Sequence, residues 1–188
     1  MFSPDKAVVT SIDNDHLEAY DHSVKKLELA FISFIQKVKE KVFIHDEQKS
    51  LIDNLNTKAD IFTYGFDTNS DFQILNFSQN EKGSLFSLKN KIANTLYDFE
   101  TNAYGKHNIL NTVAAILVSL DEGIDYSSIN KSLKTFPQVE RRFEIISKNV
   151  FSQNIILVDD YGHHPTELIN TINTIQEIWP CLLYTSDA

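Results

Sequence analysis

The order of short apolar runs in the first third of the chain constrains its fold more than any other feature. Residues 7–10, 42–44 and 61–64 are apolar and rich in β-branched or aromatic side chains, which is typical of buried strands. Between them, residues from about 21 to 39 and from 47 to 55 carry apolar side chains at helical spacing. This alternation predicts a parallel sheet in an α/β fold.

The pattern changes after Gly65. Residues 71–99 show alternating apolar positions with a turn near 80–83, which predicts antiparallel strands added to the parallel ones. A helix over about 108–121 is apolar nearly all round, so we expect it to be buried, and Gly123 stands just past its end. The sequence therefore predicts a mixed sheet packed against a buried helix.

A second unit is predicted beyond a boundary near residues 137–142. The order restarts there with strands over 143–146 and 155–158, and Pro165 suits the first turn of a helix. Because one strand–helix unit cannot cover both faces of a sheet, we expect this segment to open a larger domain.

Composition limits the class of protein. The chain has 188 residues, a formal net charge of -9 and a sequence pI near 5.0, which disfavours a general nucleic-acid binder. One cysteine excludes an internal disulfide framework, and no apolar run approaches the ~20 residues that a membrane span needs. No secretory signal pattern follows Met1, so we expect a soluble cytoplasmic protein that does not bind membranes.

Residues 158–167 hold the densest group of chemically active side chains. Two carboxylates, a phenol and two imidazoles lie between a predicted strand and a predicted helix. Ligands of α/β proteins bind at the carboxyl ends of parallel strands, so this segment is a candidate site. Asp159 and Asp160 should point apart if the strand pleat continues. Helix capping is the competing interpretation for any one of these residues.

Three further clusters could carry chemistry. The acids and imidazole of residues 13–16 suit a divalent metal, or a polar loop with a capping Asp. Asn108 and Asn111 share a face at a helix start, where they could read a purine edge or fix a phosphate, although Asn108 could instead cap the helix. Arg141 and Arg142 could grip phosphates, or form a surface pair only.

A phosphate-cradling loop is absent from this sequence. None of its five glycines fits the spacing of Gly, four residues and Gly-Lys-Ser/Thr. If the protein acts on a nucleoside triphosphate, we expect its phosphate loop to lie outside these residues.

Four segments, in this order and at this spacing, resemble the Mur ligases. They are residues 8–20, 105–111, 140–143 and 159–166, and the resemblance extends from residue 7 to about residue 180. It implies a P-loop-NTPase-like mixed sheet, lacking its phosphate loop, followed by the start of a Rossmann-like domain.

The resemblance also implies a division of the chain. Residues 1–139 would be the later part of a central ATP-binding domain, and residues 140–180 the beginning of the carboxyl-terminal domain. Residues 181–188 resemble a translated sequencing-adapter read-through and are expected to be a non-native tail, although residues 181–184 could instead be a genuine strand.

Individual side chains match functional positions of the family. The matches are His16 as a magnesium ligand; Asn108, Asn111, Arg142 and Asp160 as nucleotide-binding residues, with Arg142 and Asp160 also catalytic; and Tyr161 and His163 as residues on the amino-acid side. ATP and Mg²⁺ are the implied cofactors.

The implied activity belongs to peptidoglycan synthesis. The carboxylate of UDP-N-acetylmuramate would be phosphorylated, and the amine of L-alanine would then displace phosphate from the acyl phosphate. We expect residues 1–188 alone to have no ligase activity and to bind ATP weakly or not at all.

Two other interpretations stay open at this point. One is another ligase of the same superfamily, acting in murein-tripeptide recycling or folate polyglutamylation, although Tyr161 followed by Gly162 favours L-alanine addition. The other is a metal-dependent phosphoesterase or hydrolase, built on Asp15, His16, Asp160, His163 and His164.

Overall fold

The computed structural model describes residues 2–12, 17–137, 139–150 and 155–180. The predicted metal ligand His16, the rest of the 13–16 cluster and the tail 181–188 lie outside the described residues. Within the described ranges, no helix is long and apolar enough to cross a lipid bilayer.

Six strands form one mixed sheet whose spatial order follows the chain. Neighbours among the first four strands run parallel, and the last three form an antiparallel meander. The predicted mixed α/β sheet is therefore confirmed. The strands are β1 (Lys6–Val9), β2 (Lys41–His45), β3 (Asp60–Gly65), β4 (Phe72–Asn80), β5 (Gly83–Asn90) and β6 (Thr95–Thr101).

The helices follow the predicted order. The stretch predicted to be a short helix over 47–55 is the 3₁₀ helix Asp46–Asn54. The main helices are α1 (Val24–Ile35), α2 (Lys106–Asp121), α3 (Tyr126–Thr135) and α4 (Pro165–Ile178). Gly123 ends α2 as predicted: its φ is 82°, and its N–H donates to the carbonyl of Leu120 while that of Ile124 reaches Ser119.

Apolar layers cover both faces of the sheet. Alternation along β2 places Phe43 on one face and Val42 and Ile44 on the other. The first face packs against α2, whose buried side chains are Ile109, Val113, Ala114, Ile116 and Leu117. Each buried valine, leucine or isoleucine side chain of this set contributes about 1.5–3 kcal/mol. This packing fixes α2, and the residues at its start, against the sheet.

The second unit differs from its predicted arrangement. Strands β7 (Glu144–Ser147) and β8 (Leu157–Asp159) pair antiparallel in a two-stranded sheet, so the expectation that the 158–167 segment follows a parallel strand is wrong for the described pairing. The strands are joined by residues 148–156, a connection short enough for the chain to return directly and pair antiparallel.

A third apolar cluster joins the second unit to the first. Phe143 is fully buried between Tyr104 and Trp179, with ring centroids 5.2 Å and 6.4 Å away. Its ring and that of Trp179 are nearly parallel, at 10°. Tyr104 precedes the predicted boundary at residues 139 and 140, so the two units share this cluster.

Candidate active site

A cleft of about 580 Å³ opens between α2 and α3. Its volume is in the range of small-molecule sites. Apolar side chains of Ile116, Ile129 and Leu133 line it together with polar groups. Those polar groups include Asn108, Asn111 and Arg142, together with His107. Three residues that the sequence assigned to nucleotide binding thus line one cleft.

Two asparagines one turn apart supply amides to this cleft. Helix α2 begins at Lys106 with Gly105 as its N-cap, so Asn108 is not the N-cap that the competing interpretation proposed. The Nδ2 group of Asn108 instead donates to the carbonyl oxygen of Tyr104 at 2.9 Å. Asn111 is exposed, and its side chain makes no hydrogen bond to any residue that the structure describes. Its amide is therefore available to a ligand.

Arg142 stands between the cleft and the start of α4. Its Nη1 atom lies 3.7 Å from Oε1 of Glu167, and both side chains are partly exposed. The neighbouring residues Arg141 and Phe143 have φ values of 57° and 53°, a left-handed conformation that is costly for residues other than glycine. This backbone turn directs the Arg142 side chain to the cleft while Phe143 enters the apolar cluster.

Asp160 holds that turn in place. Its Oδ2 atom accepts the N–H of Phe143 at 2.8 Å, and its Oδ1 atom accepts the N–H of Gly162, also at 2.8 Å. Asp159 has a different partner, since its Oδ2 lies 3.5 Å from Nε of Arg141. The two acids therefore have different partners, and because β8 ends at Asp159, the prediction from a continuing strand pleat does not apply to Asp160.

Tyr161 and His163 form an exposed pair beside the turn. The Tyr161 ring lies 5.0 Å from the guanidinium carbon of Arg141 and 5.4 Å from the His163 ring. The Tyr161 N–H also donates to the carbonyl of Arg141 at 2.7 Å. Tyr161 is 52% exposed, so an aromatic ring and an imidazole are available to a ligand beside Arg141.

Part of the 158–167 segment does cap a helix. His164 is the N-cap of α4, Pro165 is its first residue, and Glu167 accepts the backbone N–H groups of His163 and His164 at 3.1 and 3.3 Å. The hydrogen bond from His163 is the largest cause that lowers the pKa of Glu167. His164 and Glu167 therefore cap α4, while Asp160, Tyr161 and His163 of the same segment belong to the candidate site.

His107 is a residue of this site for which the sequence predicted no role. It is half-buried on the first turn of α2 and lines both the cleft and a smaller cavity of about 290 Å³ beside α4. Burial lowers its pKa, and the nearby charge of Asp160 opposes that shift. The sequence shows that His107 lies between Gly105 and Asn108, but it does not show that the side chain is half-buried.

The metal expectation falls largely outside the described residues, since His16 is not among them. Across the ranges that are described, no three His, Cys, Asp or Glu side chains converge as a metal site would require. Both carboxylate oxygens of Asp160 accept backbone N–H groups, which does not favour the hydrolase interpretation. The amides and guanidinium of the cleft suit a nucleotide, because such groups bind bases and phosphates.

The fold identifies the class of protein: the chain forms a mixed-sheet α/β domain of the type found in P-loop ATPases. The Mur ligase middle domain matches residues 1–119, and the chain belongs to the Mur ligase family. A UDP-N-acetylmuramate–L-alanine ligase of Wigglesworthia glossinidia brevipalpis is 42% identical over 95% of this chain, and one of Hydrogenovibrio crunogenus is 39% identical over 95%. In both cases the chain spans 39% of the relative's length.

Solved structures agree with this assignment. The UDP-N-acetylmuramate–alanine ligase MurC of Thermotoga maritima superposes with a TM-score of 0.77 at 26% identity, over 95% of this chain and 40% of that one. The MurF ligase of the same organism, solved in complex with ADP, gives 0.75 at 17% identity over 93% of this chain and 39% of that one, which supports the fold.

Proposed function

We propose that this chain supplies part of the nucleotide site, and part of the amino-acid site, of a ligase that joins L-alanine to UDP-N-acetylmuramate at the expense of ATP. Residues 1–139 would be the later part of the central ATP-binding domain, and residues 140–180 the opening of the carboxyl-terminal domain. The proposal includes a cytoplasmic location and a role in peptidoglycan synthesis.

One observation carries the proposal. Asn108, Asn111 and Arg142 come from a helix and from a turn about thirty residues later, yet they line the same cleft of about 580 Å³. Two amides on one helix face can hydrogen-bond an adenine edge, and the apolar walls can hold its faces. A guanidinium that lines the cleft can bind phosphate or ribose oxygens.

The site residues divide the reaction between them. Phosphoryl transfer to the muramyl carboxylate gives an acyl phosphate, and the L-alanine amine then attacks its carbonyl carbon and expels phosphate. Arg142 would stabilise negative charge on the phosphates. Tyr161 and His163 lie on the α4 side of Arg142, where they would contact the incoming amino acid. Asp160 would set the position of Arg142 through the backbone of Phe143.

Mg²⁺ would neutralise charge on the transferring phosphoryl group. We propose His16 as one of its ligands, on the family match alone. Among the described residues, no three His, Cys, Asp or Glu side chains converge, and we propose no further magnesium ligand from them.

A segment exchange tests the proposed function. Residues 1–180 of this chain would replace the matching segment of the Wigglesworthia relative, and phosphate release would be followed with ATP and UDP-N-acetylmuramate. We expect release that depends on L-alanine. A folded exchange protein that releases no phosphate, or releases it equally well with another amino acid in place of L-alanine, would contradict the proposal.

A further inference from the structure

The tip of the β4–β5 hairpin is tied to three distant parts of the chain through Glu81. Its Oε1 atom accepts the indole N–H of Trp179 at 2.9 Å, and its Oε2 atom pairs with Nζ of Lys148 at 2.8 Å. Its backbone carbonyl accepts the hydroxyl of Tyr104 at 3.1 Å. One turn residue therefore contacts the end of α4, the end of β7 and the segment that leads into α2.

A second residue of the same hairpin, Gln79, forms similar hydrogen bonds to distant parts of the chain. The Oε1 atom of Gln79 accepts the N–H of Gly105 at 2.9 Å, and its Nε2 atom donates to Glu177 at 2.6 Å. Gly105 is the N-cap of α2, the helix that presents Asn108 and Asn111. The hairpin thus connects the start of α2 to the end of α4.

The Trp179 end of α4 lies against the turn that positions Arg142. Trp179 is buried and stacks on Phe143, the last residue of that turn. Movement of Trp179 away from the hairpin would remove one wall from Phe143. It would also shift α4, whose first turn carries the Glu167 contact to Arg142.

We propose that Glu81 is a positioning residue that sets the orientation of the carboxyl-terminal unit, and with it Tyr161 and His163, relative to the cleft. The relevance of this orientation to ligation rests on the proposed function. The physical basis is the buried indole N–H of Trp179, which loses its acceptor when the Glu81 carboxylate is removed.

The effect can be measured on the 188-residue chain itself, because Trp179 is its single tryptophan. The test variant is Glu81→Ala, and the matched control is Glu100→Ala. Glu100 is an exposed acid on β6 that pairs with Lys134 of α3. Hydrogen exchange is followed by mass spectrometry, and acrylamide quenching reports the exposure of Trp179. Neither readout uses nucleotide or amino acid, so failure here is separate from failure of the proposed function.

For Glu81→Ala we expect about tenfold faster exchange in residues 144–147 and 175–179, with stronger quenching of Trp179. Exchange in residues 109–117 of α2 should be unchanged, and Glu100→Ala should leave all of these values unchanged. Lys148→Met removes only the ion-pair partner of Glu81, so it should accelerate exchange in the same residues by a smaller factor. If Glu81→Ala does not fold, Lys148→Met tests the proposal in its place. Unchanged Trp179 quenching, or equal acceleration in α2, would overturn the proposal.

Discussion

The Oδ2 atom of Asp160 accepts the backbone N–H of Phe143 at 2.8 Å, although the two residues stand seventeen positions apart. The same carboxylate accepts the N–H of Gly162 through its other oxygen. Phe143 is fully buried and left-handed, so its N–H has no access to water. Asp160 therefore stabilises the backbone turn that carries Arg142 at the cleft.

Asp160→Ala should reduce the free energy of unfolding by about 1–3 kcal/mol, because it leaves the Phe143 and Gly162 N–H groups without an acceptor. Asp159→Ala is the control: it removes a partly exposed ion pair with Arg141 and should cost less than about 1 kcal/mol. Urea unfolding measures both values. Equal costs for the two variants would show that Asp160 does not hold the turn.

Gly105 and Gly123 allow a comparison that probes the contact between α2 and α4. Both have φ of 82°, so an alanine at Gly123 should cost about 1 kcal/mol in backbone strain, and the ψ of 145° at Gly105 lies outside the left-handed helical region and makes the strain there larger. At Gly105 the new Cβ would also lie 2.7 Å from Oγ1 of Thr174, whereas at Gly123 it meets nothing within 4 Å. Gly105→Ala should therefore destabilise the protein more than Gly123→Ala.

Combining Thr174→Ala with Gly105→Ala should partly restore the extra free energy of unfolding that Gly105→Ala loses relative to Gly123→Ala. The reason is that the double variant lacks the threonine oxygen that clashes with the new Cβ. Unfolding free energies of the single and double variants give this coupling directly. If the two mutations are additive, the close approach of α4 to Gly105 is not present in solution.

His107 should make stability depend on pH in a known direction. Burial lowers its pKa below the ordinary value of 6.5, so the folded state binds fewer protons than the unfolded state in this range. The free energy of unfolding should fall as the pH is lowered through about 6.5, and this contribution should level off below the folded pKa.

His107→Gln removes that contribution, so the difference in stability between wild type and variant should change between about pH 8 and pH 5. Comparing the two proteins cancels the other histidines, which titrate in both. Urea midpoints across this range measure the difference. A difference independent of pH would mean that His107 is not buried beside Asp160 as the structure has it.

The sequence predicts the sheet well where local patterns decide the outcome. Strands β1, β2 and β3 are rich in β-branched and aromatic residues, many of them buried, and the turn near residues 80–83 joins β4 and β5 as a hairpin. The family match also predicts Asn108, Asn111 and Arg142 together before any coordinates show their common cleft.

Contacts between distant residues could not be predicted in the same way. Glu81 and Trp179 are 98 positions apart, and nothing in the local pattern of either residue indicates the other. The expected parallel strand before Asp159 is antiparallel, because strand partners depend on the connection as well as on composition. The burial of His107 depends on α4 packing over the start of α2.

The most direct measurement of the central claim is the Michaelis constant for ATP in the segment-exchange ligase carrying Asn111→Ala. Asn111 is exposed and unbonded within the described structure, so its loss should leave stability unchanged while removing one hydrogen bond to the nucleotide. We predict a KM for ATP about tenfold higher, with the KM for L-alanine unchanged. Asn173→Ala, an exposed helical asparagine on α4, is the control and should change neither value. An unchanged KM for ATP in Asn111→Ala would contradict the assignment of this cleft to the nucleotide.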